Sequence, residues 1–408
     1  MKVLLISTCE RSGGGAIAAH RLMDALNKNG VEARMIVRDK QSDDPAVVKV
    51  GNKLPKLMER LTVLPRCGFR RSRLWQVDIA NTGIDITRTA AFKEADVIHL
   101  HWVNQGMISL DGMGKIMSSG KRVVWTLHDE WPYLGVCHYR AGCKERLCQN
   151  CPLLYGSTPF IVRAHKQALF HRWRPTFVGC SQWITDEARQ VMPQLQVVHI
   201  NNCIPSALFH PTDMQQARKT LSLPQDKRLL LFCSQKVTDE RKGIAFLTEA
   251  LQQLHRDDLH LAIVGKNAEK IPVPDGIEAT CFGSVGEQMM PALYNAADVF
   301  LTPSLQDNLP NTIAEAMSCG TPCVGFDVGG IPEMIDHKEN GYVARYRDAA
   351  DLAEGIMYVL CHDLREAARL KAAEAYDETR VAQQYIKLYT QSDYSELSEQ
   401  SDSPEQET

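Results

Sequence analysis

Short apolar runs recur along the chain and alternate with segments of helical or irregular character. In the first half they span residues 2–7, 31–37, 97–100, 123–127, 177–180 and 197–200, and in the second half residues 229–232, 259–264, 279–282, 299–302 and 323–326. Runs of this length are typical of strands buried on both faces. Because strands that alternate with helices form parallel sheets covered on both sides, the pattern predicts an α/β protein.

The strand pattern stops near residue 200 and restarts after Pro211, which places a boundary in the Asn- and Pro-containing segment between them. We predict a first domain over residues 1–205 and a second over 206–365. One long amphipathic helix is predicted from about Leu364 to Tyr389, with 366–390 as a separate segment. Residues 391–408 are rich in Ser, Glu and Gln and predict a disordered tail. Residues 39–92 have no clear alternation.

Composition narrows the class of protein. The chain has 408 residues, enough for two domains, with 44% apolar residues, 23% charged residues and a net charge of −3. That balance is typical of a soluble enzyme and gives no support for nucleic-acid binding. The first apolar run is too short for a signal peptide, and no window approaches the ~20 apolar residues of a membrane-spanning helix. Thirteen cysteines without an export signal indicate a reducing cytoplasm.

The segment from Pro303 to Pro322 carries the most chemical information. It joins two predicted strands through a loop and a short helix, which Asn311 is expected to cap and Gly320 to end. Asp307 on the loop and Glu315 on the helix stand eight positions apart.

A second turn follows, in which Gly329 and Gly330 precede Glu333 at another helix start. Free backbone N–H groups at helix starts suit an anion, and a nearby carboxylate can accept hydrogen bonds from a sugar diol. A phosphate and a polyol bound in one crevice predict a nucleotide sugar or a compound built like one.

These motifs resemble the donor-site signature of the retaining glycosyltransferases of family 4. The residues that carry the resemblance are Pro303-Ser304, Asp307, Glu315-Ala316, Gly320-Thr-Pro322 and Gly329-Gly330-x-x-Glu333. The resemblance implies the GT-B fold: two Rossmann-like, doubly wound parallel-sheet domains that face each other across a cleft, with a C-terminal helix that crosses back to the N-terminal domain. One position departs from the family, because Asp307 stands where a longer Glu is usual.

The resemblance also implies roles for individual residues. Glu315 would bind the ribose and Lys242 the diphosphate, while Asp307 and His128 would contact the donor sugar. Further donor-site positions are Asn308, Leu309 and Glu333. The family commonly has an Arg five residues before the phosphate lysine, where this chain has Val237, and Lys236 or Arg241 is expected to replace it. The alternative for Lys242 is a solvated charge run.

Gly13, Gly14 and Gly15 follow the first strand and would let the backbone approach the donor phosphates. The alternative is an ordinary strand-to-helix turn, and the dinucleotide pattern G-x-G-x-x-G is absent. His128 ends a predicted strand at the edge where parallel sheets bind ligands, with Asp129 beside it to orient the ring. The alternative is a structural histidine, and the same choice applies to His99 and His101.

Four cysteines cluster within fifteen residues: Cys137, Cys143, Cys148 and Cys151. They could together hold one tetrahedral Zn²⁺ as a structural ion, although the spacing is not that of a standard zinc finger and Cys also packs as a small core residue. We expect no cofactor to be required for catalysis.

Residues 53–75 combine seven cations with Leu, Met, Phe and Trp. Basic side chains between aromatic ones suit an anionic membrane surface, and the segment from Arg163 to Arg174, with Lys166, Phe170 and Trp173, has similar character. The alternative is a solvated helix face.

The function expected from these observations is transfer of a hexose-type sugar from a nucleotide-diphosphate sugar to a saccharide acceptor, with retention of configuration. Polymer-building members of the family use lipid-linked acceptors, so we expect a role in bacterial surface-polysaccharide biosynthesis, such as that of lipopolysaccharide or exopolysaccharide. The enzyme would act in the cytoplasm or at the inner face of the cytoplasmic membrane. Two alternatives stay open: a non-catalytic nucleotide-sugar-binding scaffold, motivated by Asp307 and the missing Arg, and a GT-B nucleotide-sugar epimerase.

Overall fold

A computed structural model describes residues 1–140, 142–145, 147–254 and 256–391. The predicted disordered tail lies outside the described residues from position 392 onward. The described chain forms two parallel sheets, each covered by helices on both faces.

The first sheet has seven strands in the order β3-β2-β1-β4-β5-β6-β7, and all neighbouring pairs are parallel. Its strands are β1 (Lys2–Cys9), β2 (Glu32–Asp39), β3 (Val47–Lys49), β4 (Val97–Leu100), β5 (Arg122–Leu127), β6 (Thr176–Gly179) and β7 (Val197–His199). The order reverses between β1 and β4. At such a switch point the carboxyl ends of the strands leave a crevice that binds ligands in open α/β sheets.

The second sheet has six parallel strands in the order β10-β9-β8-β11-β12-β13. They are β8 (Arg228–Lys236), β9 (Leu259–Lys266), β10 (Glu278–Gly283), β11 (Val299–Thr302), β12 (Cys323–Phe326) and β13 (Gly341–Ala344). The parallel α/β architecture predicted from the apolar runs is therefore confirmed, as are the two doubly wound sheets that the family resemblance implies.

Helices connect and cover the strands. In the N-terminal part they are α1 (Gly14–Lys28), α2 (Leu54–Arg66), α3 (Ala90–Glu94), α4 (Leu110–Met117), α5 (Thr158–Trp173) and α6 (Gln182–Val191). They continue with α7 (Met214–Thr220), α8 (Ile244–Gln253), α9 (Met290–Ala296), α10 (Asn311–Ser318), α11 (Ile331–Met334), α12 (Ala349–Cys361), α13 (Arg365–Tyr376) and α14 (Glu378–Thr390). Short 3-10 turns lie at Arg71–Trp75, Ile86–Arg88, Glu240–Lys242, Ala268–Lys270 and Glu287–Met289. Within the described ranges, no helix combines the length and apolarity needed to cross a bilayer.

Each sheet separates two apolar cores. Successive residues of a strand point to opposite faces, so in β1 Leu4 packs into one core and Leu5 into the other. In β8 Leu231 and Phe232 divide in the same way between the two cores of the second sheet. This explains why the strands read as continuous apolar runs without alternation.

The predicted single helix from Leu364 to Tyr389 is wrong, because the chain forms two helices there. Asp377 ends α13 and its side chain accepts a hydrogen bond from the backbone N–H of Arg380, which caps α14. The two helices serve different cores: Ala372 of α13 packs with the second sheet, whereas Tyr385 of α14 packs with the first. The chain thus ends its described part on the N-terminal domain.

Asn311 does not cap α10 as predicted. Pro310 occupies the N-cap position, and Asn311 is the first helical residue. Its side chain instead donates to the backbone oxygen of Gly14 at 3.0 Å and accepts from Asn202 at 2.9 Å. The helix ends near Gly320, which has the positive φ of 76° expected of a terminating glycine.

Candidate functional site

The glycine segment after β1 lies against the end of β5. A Cβ atom on Gly15 would come within 2.9 Å of the ring of His128, so only glycine lets α1 begin this close to the histidine. The neighbouring Gly14 accepts the hydrogen bond from Asn311 described above, and Gly13, with a φ of 94°, forms the turn before α1. The predicted Gly13–Gly15 segment, His128 and the start of α10 therefore meet where the two domains face each other.

His128 is held by a second histidine. Its Nε2 lies 2.9 Å from Nδ1 of His101, and burial lowers the pKa of His128 to about 4, so the ring is neutral near pH 7. Asp129 does not orient this ring as predicted, because its carboxylate binds Trp102, Trp131 and His138 instead.

His99 lies away from His128, within the sheet. It bonds Thr126 at 2.8 Å and the hydroxyl of Tyr389, on α14, at 2.7 Å. Of the two histidines that flank Leu100, only His101 bonds the strand-end histidine.

The predicted phosphate and sugar residues contact each other directly. The ammonium group of Lys242 lies 2.5 Å from a carboxylate oxygen of Asp307, which also accepts a hydrogen bond from Ser304 at 3.3 Å. Gly243 makes this approach possible: with a φ of 70°, its position would bring a Cβ atom within 1.7 Å of the Pro303 carbonyl oxygen. A larger residue there would push the lysine turn away from the Asp307 loop.

Glu315, the predicted ribose ligand, is buried with both carboxylate oxygens engaged. One oxygen forms an ion pair with the guanidinium of Arg21 at 2.8 Å, and the other accepts from the hydroxyl of Tyr294 at 2.7 Å. Arg21 belongs to α1 of the N-terminal domain, so this pair also crosses between the domains.

Asn308 and Glu333 bind backbone groups of the N-terminal domain. The amide of Asn308 donates to the carbonyl of Leu127 at 3.0 Å. Glu333 accepts from the backbone N–H groups of Gln182 and Trp183 at 2.6 and 2.5 Å, so it caps α6 across the domain boundary. Leu309 is buried in the core of the second domain. Asn308 and Glu333 therefore lie at the contact between the two domains, whereas Leu309 lies in the core of the second domain.

The structure distinguishes Lys236 from Arg241, the two residues expected to replace the phosphate-binding arginine that this chain lacks. Val237 is fully buried in the second domain. Lys236 is exposed at the end of β8. Arg241 lies beside Lys242, binds Asp239 at 2.7 Å and places its guanidinium 5.6 Å from the ring centre of Tyr139, a residue of the other domain. Its position next to the Lys242–Asp307 pair favours Arg241.

The cysteine loop contains one close pair of thiols. A hydrogen bond between Cys137 and Cys151 raises the pKa of Cys137 and lowers that of Cys151. Among the described residues, the group of three donor atoms close enough to share an ion is His20, Asp24 and Asp44, and no three of the four sulfurs form such a group. The zinc site stays a prediction.

Two sequence profiles match the chain. The profile described as Glycosyltransferase Family 4 covers residues 12–208, and the profile described as Glycosyl transferases group 1 covers residues 227–362. The chain belongs to glycosyltransferase family 4. It is therefore a group 1 glycosyltransferase with the GT-B fold.

Individual relatives are distant. Over 219 residues, which are 50% of this chain and 56% of the other, it is 25% identical to N-acetyl-alpha-D-glucosaminyl L-malate synthase of Bacillus anthracis. Among solved structures it resembles sucrose-phosphate synthase of Thermosynechococcus elongatus, with a TM-score of 0.69, 20% identity and coverage of 95% and 98% of the two chains. It also resembles Anabaena Alr3699/HepE in complex with UDP-glucose, with a TM-score of 0.63, 16% identity and coverage of 95% and 99%. At these identities the structures show the fold alone.

Two residues that contact Glu315, Arg21 and Tyr294, were not predicted. Arg21 lies on α1 and Tyr294 on α9, and both residues are buried. One sequence signal could have identified Arg21: it is a charged residue on the apolar face of α1, and buried charges are nearly always paired with an opposite charge. The sequence alone does not identify the partner, which is 294 positions away.

Proposed function

We propose that this glycosyltransferase transfers a sugar from a nucleotide-diphosphate sugar to a saccharide acceptor with retention of configuration. One observation carries the proposal: three features meet between the two domains. They are the ion pair of Lys242 with Asp307, the buried carboxylate of Glu315, and the glycine segment beside a neutral histidine. A diphosphate requires a cation and free N–H groups, a ribose requires a fixed carboxylate, and the sugar requires neutral hydrogen-bonding groups. The complex of Alr3699/HepE with UDP-glucose supports a donor of this class.

In the proposed reaction the acceptor hydroxyl attacks the anomeric carbon on the face from which the diphosphate departs. The new bond forms between the acceptor oxygen and the anomeric carbon while the bond from that carbon to the phosphate oxygen breaks. The leaving phosphate takes the proton of the hydroxyl. Lys242 stabilises the charge that develops on the phosphate, with Arg241 beside it. His128 and Asp307 position the sugar.

We further propose that the acceptor is carried on a lipid and that the enzyme works at the cytoplasmic face of a membrane in surface-polysaccharide biosynthesis. The α2 face, defined as Leu54, Leu57, Met58 and Leu61, exposes 50–63% of each of these side chains along one side of the helix. Phe69 and Trp75, which are 71% and 62% exposed, follow it. Lys53, directly before α2, lies 4.0 Å from the carboxylate of Asp39 at the end of β2, so α2 begins near the edge of the first sheet that carries the glycine segment.

The test is a panel of nucleotide sugars with the purified protein, read first by thermal shift and then by product analysis. A ligand that binds only the folded protein raises the unfolding temperature according to its occupancy. Transfer to a saccharide acceptor, with the anomeric configuration of the product read by NMR, would support the proposal. Binding without turnover would identify the scaffold alternative, isomerised donor in the absence of acceptor would identify an epimerase, and inverted product would overturn the retaining assignment.

A further inference from the structure

Arg21 is a buried cation shared by two carboxylates of the other domain. Only 6% of its surface is exposed. One terminal nitrogen lies 2.8 Å from Glu315, and the other lies 2.8 Å from Glu287. The guanidinium also lies over the ring of Phe209, 5.0 Å from its centre, and the residue borders a cavity of about 320 Å³ between α1 and the second domain.

The Glu315 carboxylate has more hydrogen-bond acceptor positions than its partners fill. An ionised carboxylate offers about four lone-pair positions. Tyr294 donates a hydrogen bond to one oxygen, and the Arg21 guanidinium forms an ion pair with the other, so at least one position stays free on each oxygen. One guanidinium also faces two carboxylates, so the cluster keeps a net negative charge. Two further donors would satisfy the remaining positions, and a vicinal diol supplies two donors on adjacent carbons.

We propose that Arg21 is a positioning residue for the nucleotide: together with Tyr294 it fixes the Glu315 carboxylate so that the two free lone pairs accept the 2′- and 3′-hydroxyl groups of the donor ribose. This inference rests on the proposed function. It adds that a residue of the N-terminal domain prepares a ribose site in the C-terminal domain.

The geometry requires arginine at this position. Its planar fork reaches Glu287 with Nε and one terminal nitrogen while the other terminal nitrogen reaches Glu315. A lysine ammonium could not hold both carboxylates in these directions. Glu287 therefore anchors the guanidinium, and Glu315 is the carboxylate that the anchored guanidinium orients.

The experiment compares one ribonucleotide with its analogue that lacks the diol. UDP, GDP, ADP and CDP are first tested for binding to the wild-type protein by calorimetry. The dissociation constant of the tightest binder and that of its 2′,3′-dideoxy form then define a diol ratio. If the wild type binds none of the four, or binds both forms equally, the proposed ribose site is absent and the inference is overturned with it.

The diol ratio is then measured in Arg21→Met and in Tyr294→Phe. Loss of a charge-assisted contact that orients Glu315 should weaken ribonucleotide binding by about tenfold or more and leave dideoxynucleotide binding nearly unchanged, so the ratio falls towards one. Tyr294→Phe should lower the ratio less. A merely structural role of Arg21 would weaken both nucleotides equally and leave the ratio unchanged.

Glu287→Gln is a graded variant, because it weakens the anchor of the guanidinium but keeps the contacts of Arg21 and Tyr294 with Glu315. It should change the diol ratio by less than Arg21→Met does. An unchanged or increased ratio in Arg21→Met would overturn the inference while leaving the proposed function intact. If Arg21→Met does not fold, as judged by circular dichroism, Arg21→Lys and Tyr294→Phe carry the test with the same expected direction.

Discussion

Lys242 and Asp307 form an ion pair 2.5 Å long between the first 3-10 turn of the second domain and the loop after β11. Asp307 stands where related enzymes usually have a longer Glu, and here the shorter side chain still reaches the lysine. An ammonium group has three donors, so one contact to Asp307 leaves two for phosphate oxygens. In the proposed site this pair would hold both side chains in place before a donor binds.

Replacing either of the charged side chains proposed to bind the sugar donor should reduce turnover with little effect on folding. Lys242→Ala loses a cation on the diphosphate and Glu315→Gln loses the carboxylate on the ribose, each a charge-assisted contact of about 1.5–3 kcal/mol, or roughly ten- to more than a hundredfold. Steady-state transfer over a range of donor concentrations measures the effect as a change in kcat/KM. Lys270→Ala, at an exposed lysine of another 3-10 turn, is the control and should be neutral. A wild-type kcat/KM in either site variant would exclude that residue from the site.

Arg241→Ala should lower activity, whereas Lys236→Ala should not. Arg241 lies next to Lys242 and under the ring of Tyr139, while Lys236 is exposed at the end of β8. We expect a loss of about tenfold or more from Arg241→Ala because one cation on the leaving diphosphate is removed. Comparing the two variants in the same transfer assay decides between the replacements that the sequence left open. Equal activities would mean that neither cation replaces the usual arginine.

The strands were predictable because they are buried on both faces. A continuous apolar run such as residues 299–302 needs no tertiary information, and it is a strand with these bounds in the structure. The edge strands β3 and β13 were not predicted, since Val47–Lys49 is only three residues long and Gly341–Ala344 begins with a glycine.

Contacts between distant residues were less predictable. The motif identified Glu315 but not Arg21, because a helical sequence pattern reports burial without reporting the partner. Capping was also misjudged: Asn311 has the side chain of a cap, yet the preceding proline holds that position and the amide binds the other domain. The prediction that the segment from Arg163 to Arg174 forms a membrane-facing surface was wrong in part, because the sequence pattern does not show which of its side chains pack inside the protein. Lys166 and Phe170 are buried, and the ammonium of Lys166 lies 3.8 Å from the ring centre of Trp131.

Stability should fall as the pH decreases from about 6.5 towards 4. Burial lowers the pKa of His99 to about 3 and that of His128 to about 4, and it lowers the pKa of His101 as well. Between these values and the ordinary pKa near 6.5, the unfolded chain binds protons that the folded protein does not. Each histidine therefore costs up to about 1.4 kcal/mol per pH unit in that window, and the cost is absent above it.

Urea unfolding midpoints at pH 7, 6 and 5 measure this dependence. His101→Gln removes one buried titrating ring and should flatten the slope. His171→Gln, at an exposed position on α5, is the control and should leave the slope near that of the wild type. Identical slopes in the wild type and His101→Gln would show that this histidine does not contribute.

The cysteine loop should bind one zinc ion per chain when the protein is purified without added metal. Four thiolates suit a structural zinc site, and such a site would stabilise a loop with few apolar residues. Metal analysis gives the stoichiometry, and limited proteolysis gives loop stability. Cys148→Ser should lose the metal and become sensitive near the loop, while Cys361→Ser, at an exposed cysteine outside it, should retain both properties. A metal-free and stable wild type would assign these cysteines to packing.

Membrane binding should depend on the cations that follow the α2 face. Each Lys or Arg near an anionic leaflet contributes about 1 kcal/mol, so replacing Arg70, Arg71 and Arg73 with Gln should weaken binding to anionic vesicles by about a hundredfold. Vesicle co-sedimentation measures this. The matched control replaces three exposed lysines of the second domain, Lys219, Lys270 and Lys338, with Gln and should bind almost as the wild type does.

Salt separates the electrostatic from the apolar part of this binding. Screening shortens the reach of surface charges to about 8 Å near 0.15 M salt and about 3 Å at 1 M, so the contribution of the three arginines should disappear as salt rises. Insertion of the α2 face is not screened, because it depends on apolar side chains such as Leu57 and Leu61, which are 56% and 63% exposed. Leu57→Ser combined with Leu61→Ser should therefore reduce the residual binding at high salt, and transfer to a soluble acceptor analogue should stay near wild type in both sets of variants. Equal partitioning of the wild type and both sets would assign this surface to solvent.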